Sequence, residues 1–133
     1  MNNRRDFMKT SLVASAAVMA AVAPSMASST PRNIYAYSTA DQGRWQGKAG
    51  SHAPVITQAD GKITVETKHG MAPMHYIVKH TIVTESGEVL GENVFLPSDK
   101  KAISSYEITA KGTKLYALSF CNLHDLWVTE FSV

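Results

Sequence analysis

KLYALSFCNLHDLWVTEFS, Lys114 to Ser132, reads as two short strands, Lys114 to Phe120 and Leu126 to Ser132, joined by a loop. That loop carries the chain's single cysteine, Cys121, and a histidine three residues later, His124, so a thiol and an imidazole are set together at a sheet end. The same grammar extends outward toward the N-terminus. Segments rich in Val, Ile, Thr and aromatics at Ala53 to Thr57, Lys62 to Thr67, His75 to Thr84, Val89 to Leu96 and Ser104 to Ala110 read as five further strands. Turn residues punctuate them at Asp60-Gly61, Ser86-Gly87, Pro97-Ser98-Asp99 and Lys111-Gly112. No long 3.6-residue apolar period interrupts the pattern. The spacing predicts an all-β domain, an immunoglobulin-like sandwich of about seven antiparallel strands.

The remaining N-terminal quarter has a different character. Arg4 and Arg5 precede an apolar, alanine-rich stretch from Leu12 to Ala23, and small residues surround Ser25-Met26-Ala27. These are the parts of a cleavable export signal over residues 1–27, and Asn3-Arg4-Arg5-Asp6-Phe7-Met8-Lys9 resembles the twin-arginine signature. The apolar stretch is shorter than the roughly 20 residues that span a bilayer, so it is read as a leader and not as an anchor. Export to the periplasm follows as the expected location. Residues 28–44 are polar and lack periodicity, which predicts a flexible or loosely docked arm, and the domain proper is expected over 45–133.

Charge excludes some partners. Of the chain's 13 basic and 11 acidic residues, three and one fall in the leader, leaving ten of each in the remainder. A neutral domain without Lys/Arg runs has no electrostatic footprint for nucleic acid or for anionic membranes. One cysteine also rules out an intrachain disulfide in the oxidising space to which the leader points. The thiol is therefore inert and buried, paired between chains, or held by a metal.

Histidine placement bears on that choice. His52, His69, His75 and His124 all fall at strand ends or loops, whereas His80 lies inside the long strand and is read as structural. Six residues of continuous strand would separate His69 and His75 by about 20 Å, so sharing an ion requires a reversal. Gly70 and Ala72-Pro73 suit one.

Three motifs then fall into one order. His69-Gly70-Met71-Ala72-Pro73-Met74-His75-Tyr76-Ile77 resembles the His-Pro-Met and His-Tyr-Ile segment of superoxide reductases, the neelaredoxin and desulfoferrodoxin iron domain. Cys121-Asn122-Leu123-His124-Asp125-Leu126-Trp127 resembles the family's closing Cys-Asn-x-His-Gly-Leu-Trp, and His52-Ala53-Pro54-Val55-Ile56 its His-Val-Pro-Val-Ile. The resemblance covers Lys48 to Val133 and implies the same sandwich fold. It also implies a mononuclear iron held by His52, His69, His75 and His124 in one plane with the Cys121 thiolate on the axis.

Such a site implies reduction of superoxide to hydrogen peroxide at the open sixth position, with electrons from a donor protein that the residues do not specify. Self-association into a homo-oligomer is compatible with the sequence. Departures from the family pattern bear on mechanism. Glu-Lys usually precedes the first histidine, whereas Gly50-Ser51 stands here, and Lys48 is the nearest candidate for the missing cation. Asp125 replaces a glycine, and Gly70 a proline. Two rival readings remain: a non-catalytic iron or electron-transfer protein that kept the ligands, and a zinc-holding sandwich, against which five ligands argue.

Overall fold

Asp60 and Gly61 have φ of 53° and 72°, the paired left-handed geometry of a two-residue hairpin turn. They join β1 (Val55–Ala59) to β2 (Lys62–Thr67), and β2 pairs in turn with β5 (Ala102–Glu107). The second sheet has the order β4 (Val89–Val94), β3 (Ile77–Thr84), β6 (Lys114–Cys121), β7 (Asp125–Ser132), and all its pairings are antiparallel. Three strands thus face four in the expected sandwich. This is a computed structural model, and it describes residues 36–109 and 111–133. The expected leader, 1–27, lies outside those residues. No helix among the described residues is long and apolar enough to cross a membrane.

Period-2 burial builds the core. Ile63, Val65 and Thr67 of β2 face inward, as do Leu115, Ala117, Ser119 and Cys121 of β6. Ile63, Val65, Ile82, Leu115 and Ala117 form one apolar cluster, and Ile77, Phe95, Ala102 and Cys121 form a second toward one end. The parity of β6 therefore delivers the thiol, at its last inward position, to that end of the sandwich.

Three expectations need correction. His75 does not open the long strand: it closes a turn with Ala72, each backbone N–H donating to the other's carbonyl at 3.1 Å, and the strand begins at Ile77. Alternation counted from His75 places His80 on the opposite face, but a register shift between Ile77 and Lys79 brings both Ile77 and His80 inward. His52 does not start a strand either, since it ends a helical turn, α1 (Ala49–His52).

Of the expected arm, residues 28–35 lie outside the described residues, and residues 36–44 make more contacts than their composition suggests. Tyr37 donates to the carbonyl of Leu126 and accepts from Val128, both at 2.8 Å, and its ring packs 5.7 Å from that of Trp127. The Gln42 side-chain oxygen accepts from the backbone N–H groups of Gly47 and Ala49 at 3.0 and 3.1 Å. Residues 36–44 are thereby tied to the domain, Tyr37 by pairing with β7 and Gln42 through the turn that follows. Their polar composition carries no apolar period because they bind by backbone pairing and single side chains.

Candidate metal centre

Donors converge at the Cys121 end from α1, the connection between β2 and β3, the end of β6 and the loop before β7. Pro73 suits the second position of the Ala72-Pro73-Met74-His75 turn, because its φ is already fixed there. That turn folds the chain so that His69 Nε2 and His75 Nε2 stand 3.0 Å apart. α1 presents His52, and the three-residue loop after Cys121 presents His124. His75 Nε2 lies 2.9 Å and His52 Nε2 3.1 Å from His124 Nδ1, and Cys121 Sγ lies 3.7 Å from that same nitrogen. Donor atoms of His52, His69, His75, Cys121 and His124 all fall within 4.8 Å of one another. The structure thus brings together all five residues singled out in the sequence.

The spacing can be compared with coordination chemistry. Imidazole nitrogens about 2.1 Å from a common first-row ion and at right angles stand about 3.0 Å apart. The three contacts between His52, His124, His75 and His69 follow that length in sequence around the ring of donors. Tautomers agree. His52 Nδ1 lies 3.1 Å from the Lys48 carbonyl and His69 Nδ1 against the Gly70 carbonyl. A carbonyl only accepts, so each Nδ1 carries the proton and each Nε2 presents a lone pair inward. One proton on His75 and one on His124 cannot satisfy all three nitrogen contacts, whereas a single cation at their centre can.

Electrostatics favour the neutral rings that metals bind. Burial pushes His52 down to about 4, against a smaller upward pull from its bond to the Lys48 carbonyl. His69 is lowered by burial as well. His124 is lowered by burial, then by His75 and by the positive charge of Lys48. The Lys48 ammonium is therefore near enough to be felt at a candidate ligand. Lys48 and Lys68 both line the open depression of about 440 Å³ over the histidines, and among the described residues no carboxylate does.

Sequence reading missed several neighbours. Trp127 Nε1 donates to the His124 carbonyl at 2.9 Å, and its ring lies 5.8 Å from that of His52. Trp45 meets the His124 ring edge-on at 4.6 Å between centroids. Lys68 was signalled only by its place beside His69. Asp125 was legible as a departure from glycine, but its partners Arg44 and Trp45, some 80 residues earlier, were not.

His80 stands apart. Its Nε2 lies 2.8 Å from Thr67 Oγ1 and its Nδ1 2.8 Å from Ser104 Oγ, and Thr67 Oγ1 is 2.7 Å from Ser119 Oγ. Fully buried among those hydroxyls, it is pushed down to about 4 by desolvation.

Comparison with known proteins agrees with the fold and with an iron cofactor. The family model for desulfoferrodoxin matches residues 42–130, and that for the twin-arginine translocation pathway signal sequence matches residues 1–23, which implies export by that route. The superoxide reductase of Pyrococcus abyssi is 30% identical over 110 residues, covering 69% of this chain and 93% of the relative. That of Thermococcus kodakarensis is 28% identical, covering 71% and 96%. Among solved structures, the E23A superoxide reductase (neelaredoxin) of Ignicoccus hospitalis superposes with a TM-score of 0.68 at 22% identity, over 78% of this chain and 97% of that one. The one-iron superoxide reductase of Giardia intestinalis gives 0.56 at 19% identity, over 62% and 98%. With the family model spanning most of the sandwich, the chain belongs to the desulfoferrodoxin family, whose cofactor is mononuclear iron.

Proposed function

We propose that the chain is a periplasmic superoxide reductase whose single iron is held by His52, His69, His75, His124 and the Cys121 thiolate. The observation that carries this reading is the convergence of those five donors within 4.8 Å. When bound, iron supplies a one-electron couple, so that superoxide takes one electron and two protons to leave as hydrogen peroxide and an external donor restores the ferrous state. Everything else is the work of the chain. The Lys48 and Gly70 carbonyls orient His52 and His69, and β6 parity holds the thiol inside the sandwich, away from solvent oxidants. The depression above the histidines stays open to a small anion.

Lys48 is the cation we assign to substrate capture. Superoxide is negatively charged, and a mouth lined, among the described residues, by two lysines and no carboxylate raises its local concentration. Residues 28–133 carry no net charge to do this over longer range.

A specific departure favours a second reading. Gly50-Ser51 stands where the family usually has Glu-Lys, as in a non-catalytic electron-transfer protein that kept only the ligands. Pulse radiolysis of the ferrous protein separates the two. The enzyme reading expects reaction with superoxide near the diffusional range, about 10⁸ to 10⁹ M⁻¹s⁻¹. Lys48→Ala should slow it severalfold and flatten its ionic-strength dependence, because exposed charges act within a Debye length of about 10 Å at 0.1 M salt. A slow parent favours electron transfer. A variant as fast as a fast parent, with the same salt slope, makes Lys48 a solvated loop residue.

A further inference from the structure

Asp125 follows His124 directly, stands opposite Cys121 in the β6–β7 register, and has a left-handed backbone with φ of 65°. This position, at the end of a three-residue hairpin loop, favours glycine. A carboxylate there calls for a reason in its side chain. One oxygen, Oδ2, accepts from Arg44 Nη2 at 2.7 Å and from Trp45 Nε1 at 2.9 Å. The Arg44 guanidinium lies over the Trp45 ring, 4.6 Å from its centroid, and Trp45 in turn meets His124 edge-on at 4.6 Å.

The chain beyond Trp45 leads straight back to the site. The Lys48 N–H donates to the Trp45 carbonyl at 3.0 Å, and the Lys48 carbonyl takes the His52 Nδ1 proton at 3.1 Å. A single carboxylate oxygen therefore links the segment bearing Lys48 and His52 to the loop bearing Cys121 and His124.

We propose that Asp125 is a positioning residue for the metal centre, clasping Arg44 and Trp45 so that Trp45 is seated on His124 and the turn that presents His52 is held in register. The inference rests on the five-ligand reading. Exposed ion pairs such as Arg44–Asp125, with side chains 65% and 42% accessible, contribute little by themselves. What sets this one apart is the indole bond, because it fixes a ring that touches a ligand. Groups that hydrogen-bond a ligating imidazole directly are worth about 10- to 100-fold in metal affinity when removed, and Asp125 acts one contact further out, through Trp45.

Asp125→Gly suits the backbone and removes the carboxylate, and Asp125→Asn keeps an acceptor for Trp45 Nε1 while removing the charge. Three readouts on iron-loaded protein decide the matter: the rate of iron loss to a chelator, the energy of the ferric charge-transfer band and the reduction potential. The clasp expects Asp125→Gly to lose iron severalfold, up to about tenfold, faster with a displaced band and potential, and Asp125→Asn to recover part of each. Should Asp125→Gly not fold, Trp45→Phe, which loses the same bond, is expected to show the same changes. Parental iron loss, band and potential in the folded variant would overturn the clasp even if thermal stability fell. A parent that takes up no iron would overturn the ligand assignment and the clasp together.

Discussion

Two groups of buried or half-buried histidines lie close together in this sandwich, and they differ in what faces their ring nitrogens. Hydroxyls of Thr67 and Ser104 complement both nitrogens of His80, and the edge of Phe95 closes the pocket. His52, His69, His75 and His124 instead turn their nitrogens on one another at about 3 Å. The first arrangement is complete with a neutral ring and no ion. The second has lone pairs converging from rigid elements, with second nitrogens on His52 and His69 tied to carbonyls, and it is complete only around a cation. Burial alone does not distinguish them, since both His52 and His80 are pushed down to about 4 by desolvation. What distinguishes a ligand from a core histidine is the complementarity of its partners.

That contrast can be broken most severely at the cluster. Replacing His75 by Ala removes the nitrogen that links His69 to His124, and iron content after purification is expected to fall from one per chain to near zero. Metal analysis with a folding check by circular dichroism reads this directly. Full iron content in a folded His75→Ala protein would mean that the convergence is incidental.

Acid should act on the other group. His80 has a folded-state pKa of about 4 against an ordinary value of 6.5, so its neutral form is favoured by the fold. Its contribution is fully present above about pH 6.5 and is lost as pH falls toward about 4, and the full span is on the order of 3 kcal/mol. In the metal-free protein His52 acts with the same sign over the same window. Urea unfolding of apo-protein between pH 7 and 4 is expected to show this loss, and His80→Gln should flatten part of it. A pH-independent midpoint would contradict the buried, neutral assignment.

The smallest effect on metal is expected from that same His80→Gln change. Gln cannot reach both hydroxyls as imidazole does, so stability should drop by about 1 to 3 kcal/mol through an unsatisfied buried group. Iron stoichiometry and spectrum should stay parental. Iron loss there would show that the His80–Thr67–Ser119 network, whose Thr67 and Ser119 are two residues from His69 and Cys121 along the chain, governs the ligands after all.

Sequence pattern specified most of this. Turn chemistry at Asp60-Gly61 and alternation along β2 and β6 follow from local rules, and the inward parity of Cys121 is a consequence of them. Three motifs in order supplied the five donors. What escaped was non-local or irregular: the bulge after Ile77, which turns His80 into the core, and the backbone pairing of Tyr37 to β7. Asp125 was visible as a departure from the glycine of the family motif. Its meaning depended on Arg44 and Trp45, whose approach only the folded chain reveals.

Whether four imidazoles and one thiolate form an iron site is decided by the visible spectrum of the ferric protein beside that of Cys121→Ser. One iron per chain and a thiolate-to-iron charge-transfer band are expected in the parent, with the band and the reaction with superoxide lost in a folded Cys121→Ser protein. Zinc in place of iron, or a band unchanged by the serine, would contradict such a site.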